Sequence, residues 1–188
     1  MSDATKEVGG QVATEEAKEA GPEAGGERTD LLQALGKQRF FLRHTASGLT
    51  DEQAAERTTV SELCLGGLVK HVVQVELGWA SFIVEGPSAM GDWDESSAET
   101  HADSFRMLEG ETLAGILSFY EEVGRRTDEL VRTLPDLDRS QALPEAPWFQ
   151  ESSWTARRVL LHILAETAQH AGHADILRES IDGSKTMG

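Results

Sequence analysis

The chain is short of basic side chains. Seventeen Lys and Arg stand against 33 Asp and Glu, giving a formal net charge of −16 with His neutral. Such a surface excludes sequence-independent binding to nucleic-acid phosphates, which needs clustered cations. It also offers no attraction to an anionic membrane. A single cysteine, Cys64, excludes an intrachain disulfide and fits a reducing compartment. No run approaches the ~20 apolar residues of a membrane-spanning helix, and the N-terminus lacks a basic region followed by an apolar one. Convincing strand alternation, a glycine-rich phosphate loop, a serine nucleophile elbow and a Cys-x-x-Cys pair are all missing. A soluble, acidic, cytoplasmic protein with one folded domain in 188 residues is the expectation that remains.

Residues 1–29 have five Gly, one Pro and no aromatic residue, and their seven acids outnumber three bases. That composition cannot bury enough apolar area to offset the entropy of ordering, so a solvated acidic tail is expected. From residue 30 the apolar spacing turns helical, through Leu31, Leu32, Leu35, Phe41, Leu42 and Ala46. Thr50 and Gln53 form a capping box for a short connecting turn of helix. A second long helix is expected from about Ser61 to Val84, with the stripe Leu68, His71, Val72, Val75, Trp79 and Phe82, closed by Gly86-Pro87. Gly66-Gly67 weakens its first turn or lets another backbone come close.

Residues 86–109 read as a long connection, a partly ordered cover over one end of the fold. A third helix spans about Glu111 to Leu134, ended by Pro135. After a second loop, a fourth runs from Ser153, as N-cap, to Ile181, with Gly183 beyond. Four amphipathic helices with long connections define an all-α four-helix bundle over residues 30–184, leaving 185–188 as a flexible end. Strict up-down-up-down order is not required.

The fourth helix carries an anomaly. Its core-facing seam reads Val159, Ile163, Glu166, His170, His173, Leu177, so a carboxylate and two imidazoles stand where aliphatic residues are cheaper. His71 is a matching oddity on the second helix. One inward His on one helix and a Glu-x-x-x-His on another form a three-ligand set suited to zinc, nickel, iron(II) or manganese. The same residues also read as hydrogen-bonded core histidines and an ordinary i,i+4 pair. His162 lies toward the edge of the seam.

The stretch from Leu68 to Trp79, Leu-x-x-His-x-x-x-x-Glu-x-x-Trp, resembles the second-helix motif of the DinB-like superfamily. The run from Leu160 to Glu179 resembles that family's last-helix motif. Many members have two histidines four apart before a glycine, and the matching positions here are Glu166 and His170, with Gly172 following. A Glu-x-x-x-His version is known from the mycothiol-dependent maleylpyruvate isomerase branch. The sequence resembles a related branch of small DinB-like proteins ending in His-x-Gly-His-Ala-Asp-x-x-Arg-Glu, which departs from the plain pattern through His173 and Asp175. The resemblance covers roughly residues 30–184. It implies a four-helix bundle, often dimeric, with a divalent metal near one end and thiol-transfer or isomerase chemistry using mycothiol or a similar thiol. It favours His71, Glu166 and His170 as ligands, with His173 as an alternative ligand or an orienting neighbour, and His162 as packing or orienting.

The expected function is therefore a metal-dependent enzyme activating a small thiol against an electrophile. A non-catalytic or stress-related metal-binding dimer and a metal-dependent hydrolase are the alternatives. Leu160, Leu161 and Leu164 flank the seam and suggest a second buried face, hence a homodimer. Cys64 and Trp79 are expected in the core. Arg178 and Glu179 are expected to pair with neighbouring helices, and Trp93, Trp148 and Trp154 to wall a pocket or fill a dimer seam. His44 and His101 lie off the seams and are expected to be bystanders.

Overall fold

The computed structural model describes residues 26–91 and 95–186. Of the tail expected over residues 1–29, residues 1–25 lie outside the described residues, as do Trp93 and the final two residues, while α1 takes in 27–29. Six helices and two short strands follow in chain order: α1 Glu27–Ala46, α2 Asp51–Ala55, α3 Leu65–Glu85, α4 Glu95–Ser104, α5 Leu113–Thr133, β1 Ser140–Ala142, β2 Ser153–Thr155 and α6 Ala156–Asp182. A 3-10 turn, Gly86–Met90, follows α3 directly. No helix among the described residues is long and apolar enough to cross a membrane.

Helix α1 begins at Glu27 because tertiary contacts hold a first turn that hydropathy does not mark. Glu27 pairs with Arg157 of α6, and Arg28 donates to the Val131 and Leu134 carbonyls at the end of α5. Both parts of the Thr50–Gln53 capping box form at α2. Strand β2 pairs antiparallel with β1, placing Gln141 opposite Trp154. This corrects the strand-free reading and the expected cap at Ser153. Pairing holds residues 153–155 extended, so the hydroxyl of Thr155 caps α6 instead, accepting from the Arg158 N–H at 3.1 Å.

The core falls into two clusters. One holds Leu42 and Ala46 of α1, Leu65 to Val73 of α3, Leu113 to Val123 of α5, and Ala174 and Leu177 of α6. The other holds Leu31 and Leu35 of α1, Phe82 and Ile83 of α3, Val131 of α5, and Val159 to Ile163 of α6. Chain direction follows from these memberships. Helices α1 and α6 run toward the first cluster, while α3 and α5 run away from it. Because α3 and α5 are parallel, the segment between them must travel back along the bundle, and α4 is part of that return.

Between the clusters each long helix places a buried polar residue: Arg39, Glu76, Thr127 and Thr167. Arg39 grips the Glu76 carboxylate through two hydrogen bonds, of 3.0 and 2.6 Å, and reaches Asp128 at 2.7 Å. The two threonine hydroxyls donate to carbonyls one turn back on their own helices. No polar member of this layer is left unpaired.

Candidate metal centre

The local architecture of the centre starts at Gly67. A Cβ there would lie 2.1 Å from the Phe105 carbonyl oxygen, so only glycine lets the chain after α4 reach the first turn of α3. The close-approach reading of Gly66-Gly67 thus holds. Cys64 is buried beside the same carbonyl as a small packing residue, as expected. This contact sets Phe105 flat against the His71 ring, with centroids 3.9 Å apart and planes at 22°. It also brings Ser104 to the other side of the imidazole.

His71 is 6% exposed, and its Nδ1 lies 3.0 Å from Ser104 Oγ. Ser104 Oγ is also 2.6 Å from the His101 carbonyl oxygen. A carbonyl only accepts, so the serine proton goes to it. The serine oxygen must then accept from His71 Nδ1–H, which leaves the His71 lone pair on Nε2. Helix α6 supplies the facing groups one turn apart: His170 Nε2 is 3.6 Å from Glu166 Oε2. One ligand atom each from His71, Glu166 and His170 lie within 4.8 Å of one another. His173 Nδ1 sits 3.3 Å from His170 Nδ1, the orienting position behind that ring.

Burial pushes the His71 pKa down to about 4, with further lowering from His170 and His101. Burial also lowers His170, against the opposing pull of the Glu166 carboxylate. Both rings are neutral near pH 7 and keep a lone pair for coordination. Bonds of ~2.0–2.2 Å around a tetrahedral ion require ligand atoms about 3.4 Å apart, close to the observed His170–Glu166 separation. The three atoms lie within 4.8 Å of one another, so two imidazoles and one carboxylate could hold a divalent ion once the wider separations close by about 1 Å.

The seam was read one position too deep. Glu166, His170 and His173 are half-buried, while Ile163, Thr167, Ala174 and Leu177 form the buried stripe beside them. The three residues thus lie at the edge of the core, and His71 lines a cleft there.

Other candidates fall elsewhere. His162 packs edge-on against Trp79 and Trp154, at 4.9 and 5.1 Å, with its pKa lowered by burial. Trp79 is half-buried rather than core, because it forms a wall of the cleft and stacks on Trp154. Arg178 bonds the Thr45 and Ser47 carbonyls and Asp182, tying α6 to the end of α1. Glu179 pairs with Lys185, and the Thr186 N–H donates to Asp175. Leu160 belongs to the chain's own core, and Leu164 packs against it, which leaves Leu161 as the exposed leucine of the three.

His44 stacks on Phe40, far from the cluster. His101 corrects the bystander reading: its ring meets His71 edge-on at 5.6 Å, and its carbonyl anchors Ser104. No seam pattern reveals either His101 or Ser104, because both lie on α4, whose mostly polar sequence carries little helical periodicity.

Two cavities adjoin the cluster. One, of about 480 Å³, is lined by His71, Gln74, Ser97, Thr100, His101 and Ser104 among others. The next, of about 680 Å³, shares Trp79, Met90, Gly91 and His101 with it and continues to Trp148 and Phe149.

Fold and site together define an all-α bundle of the DinB-like type, with a His/Glu/His cluster whose His71 lines a divided cleft. The family model described as mycothiol-S-transferase matches residues 30–183, and the chain belongs to that family. A crystal structure titled as the conserved protein of a locus from Enterococcus faecalis is similar in fold. Its TM-score is 0.61 at 13% identity, covering 86% of this chain and 100% of that one. No curated protein matches the chain.

Proposed function

We propose that this protein is a metal-dependent transferase that joins a low-molecular-weight thiol, such as mycothiol, to an electrophile. The observation that carries the reading is the convergence of His71 from α3 with Glu166 and His170 from α6, His71 also lining a cleft. Membership in the mycothiol-S-transferase family supports the thiol.

A divalent ion held by these three residues supplies Lewis acidity, which favours the thiolate of a small thiol at neutral pH. The chain's own groups do the rest. Ser104 fixes the His71 tautomer, and His173 does the same for His170. Gln74, Ser97 and Thr100 give the nearer cavity a polar wall for the hydrophilic body of the thiol. The thiol proton leaves to water. The sulfur electron pair forms the new S–C bond as the electrophile's leaving group departs with the pair of the bond that breaks.

We also place this activity in a cytoplasmic homodimer. The lone thiol of Cys64 and exposed Leu161 and Ile176 on α6 support that assignment. Light scattering at micromolar concentration should report two chains per particle, and a monomer removes the dimer.

The decisive experiment is metal analysis of the purified protein beside His71→Ala, followed by S-alkylation of a small thiol by iodoacetamide with each. One divalent ion per chain and catalysed transfer are expected of the parent alone. Metal without transfer identifies a non-catalytic metal protein, and equal metal content in the variant removes the three-residue centre.

A further inference from the structure

The farther cavity differs in chemistry from the nearer one. Trp79, Trp148 and Phe149 present aromatic surface, and Met90, Pro144 and Ala146 complete an apolar lining. Its ~680 Å³ lies within the usual range for small-molecule sites. Phe149 meets Trp79 edge-on at 6.2 Å and Trp154 at 5.6 Å, so the wall behind the cavity is fixed by packed rings. Its charged side chain is Glu145, and no Lys or Arg among the described residues lines either cavity. The guanidinium of Arg158 lies over the Trp154 ring at 4.2 Å, outside the lining.

We propose that this cavity is the electrophile subsite and that its ligand is a neutral aromatic compound. Ring faces and a thioether favour a flat, polarizable partner. A carboxylate or phosphate on that partner would meet Glu145 and find no cation to compensate its desolvation. The shared lining residues Trp79, Met90, Gly91 and His101 then set the ligand's reactive end beside the polar cavity, where the thiol belongs. The electrophile role rests on the S-transfer reading; the preference for neutral aromatic ligands stands on the lining alone.

Binding of an unreactive probe separates the two. Nitrobenzene should bind the full-length protein by calorimetry without metal or thiol, and nitrobenzoate should bind at least about tenfold more weakly. Trp148 is half-exposed, so Trp148→Ala leaves the core intact and should weaken nitrobenzene about tenfold. Ala146→Trp should fill the cavity and abolish binding, while His71→Ala should bind nitrobenzene like the parent. With metal and thiol present, benzyl bromide should turn over faster than bromomethylbenzoate. Equal binding of the two nitro compounds, or parent-like binding by Trp148→Ala, overturns the subsite even if iodoacetamide reacts. Nitrobenzene binding with no transfer to benzyl bromide or iodoacetamide overturns the transferase reading, and the electrophile role with it.

Discussion

Replacing Ser104 by Ala tests the chain of hydrogen bonds behind His71. The serine oxygen is the acceptor for Nδ1–H of a ring that is 6% exposed. Its removal leaves that N–H without a partner in a buried setting, at a cost of about 1–3 kcal/mol. The ring escapes the cost by moving its proton to Nε2 or by turning. Either change takes the lone pair away from Glu166 and His170. Loss of an orienting partner of this kind lowers metal affinity roughly 10–100-fold, or about 1.4–2.7 kcal/mol, the same size as the penalty relieved. Zinc titration by calorimetry should show that loss, and nitrogen NMR of His71 should show the Nδ1–H tautomer depleted. A thermal melt close to the parent's confirms that the bundle is intact. Unchanged zinc affinity with the Nδ1–H tautomer retained refutes the assignment of proton positions along His71, Ser104 and the His101 carbonyl.

His101→Ala, in contrast, keeps the carbonyl that holds Ser104, so zinc affinity should stay within about threefold of the parent; calorimetry checks it. Gly67→Ala forces a Cβ onto the Phe105 carbonyl and should destabilise the protein by roughly 1–3 kcal/mol in a denaturant melt. Glu76→Ala leaves the buried Arg39 with Asp128 alone and should cost about 3 kcal/mol, the low end for breaking a buried pair, whereas the double change Arg39→Met with Glu76→Leu should cost far less. Acid should destabilise the metal-free protein through His71, whose pKa falls from 6.5 unfolded to about 4 folded. Stability is full above about pH 6.5 and declines as the unfolded chain alone takes the proton, levelling near pH 4. Urea melts across that window should show the decline, and His71→Asn should make it shallower, leaving the smaller part that His162 and His170 contribute.

The long helices and the meeting of His71 with Glu166 and His170 were legible because both rest on spacing along single helices. Leu68, His71 and Val72 mark a face of α3, and Glu166 with His170 mark one of α6. The centre needs only those two faces to meet. Thr50–Gln53, Gly86 and Gly183 acted through backbone geometry that residue type signals directly. What escaped was tertiary in origin. The first turn of α1 depends on Arg157 and the end of α5, and the two strands exist by pairing with each other across a ten-residue gap, 143 to 152. Glu76 looks like any surface acid until Arg39, 37 positions earlier, is known to face it. Ser104 and His101 have no apolar pattern to betray them, and their role follows from where the crossover lands on Gly67.

The layer formed by Arg39, Glu76, Thr127 and Thr167 has a consequence for vertical alignment of the bundle. Leucine and valine accept many neighbours, so two apolar clusters alone tolerate helices sliding past one another. A slip of α3 by one turn, about 5.4 Å along the axis, would carry Glu76 off Arg39, stranding the buried carboxylate and leaving Arg39 with Asp128 alone. The layer therefore acts as an index mark between α1 and α3, with Asp128 extending it to α5. His71 sits five residues before Glu76 on the same rigid helix. The height at which the imidazole arrives opposite α6 is thus fixed by an ion pair elsewhere in the core. Two substitutions that spare every candidate ligand could still detune the centre, by letting α3 settle a fraction of a turn away.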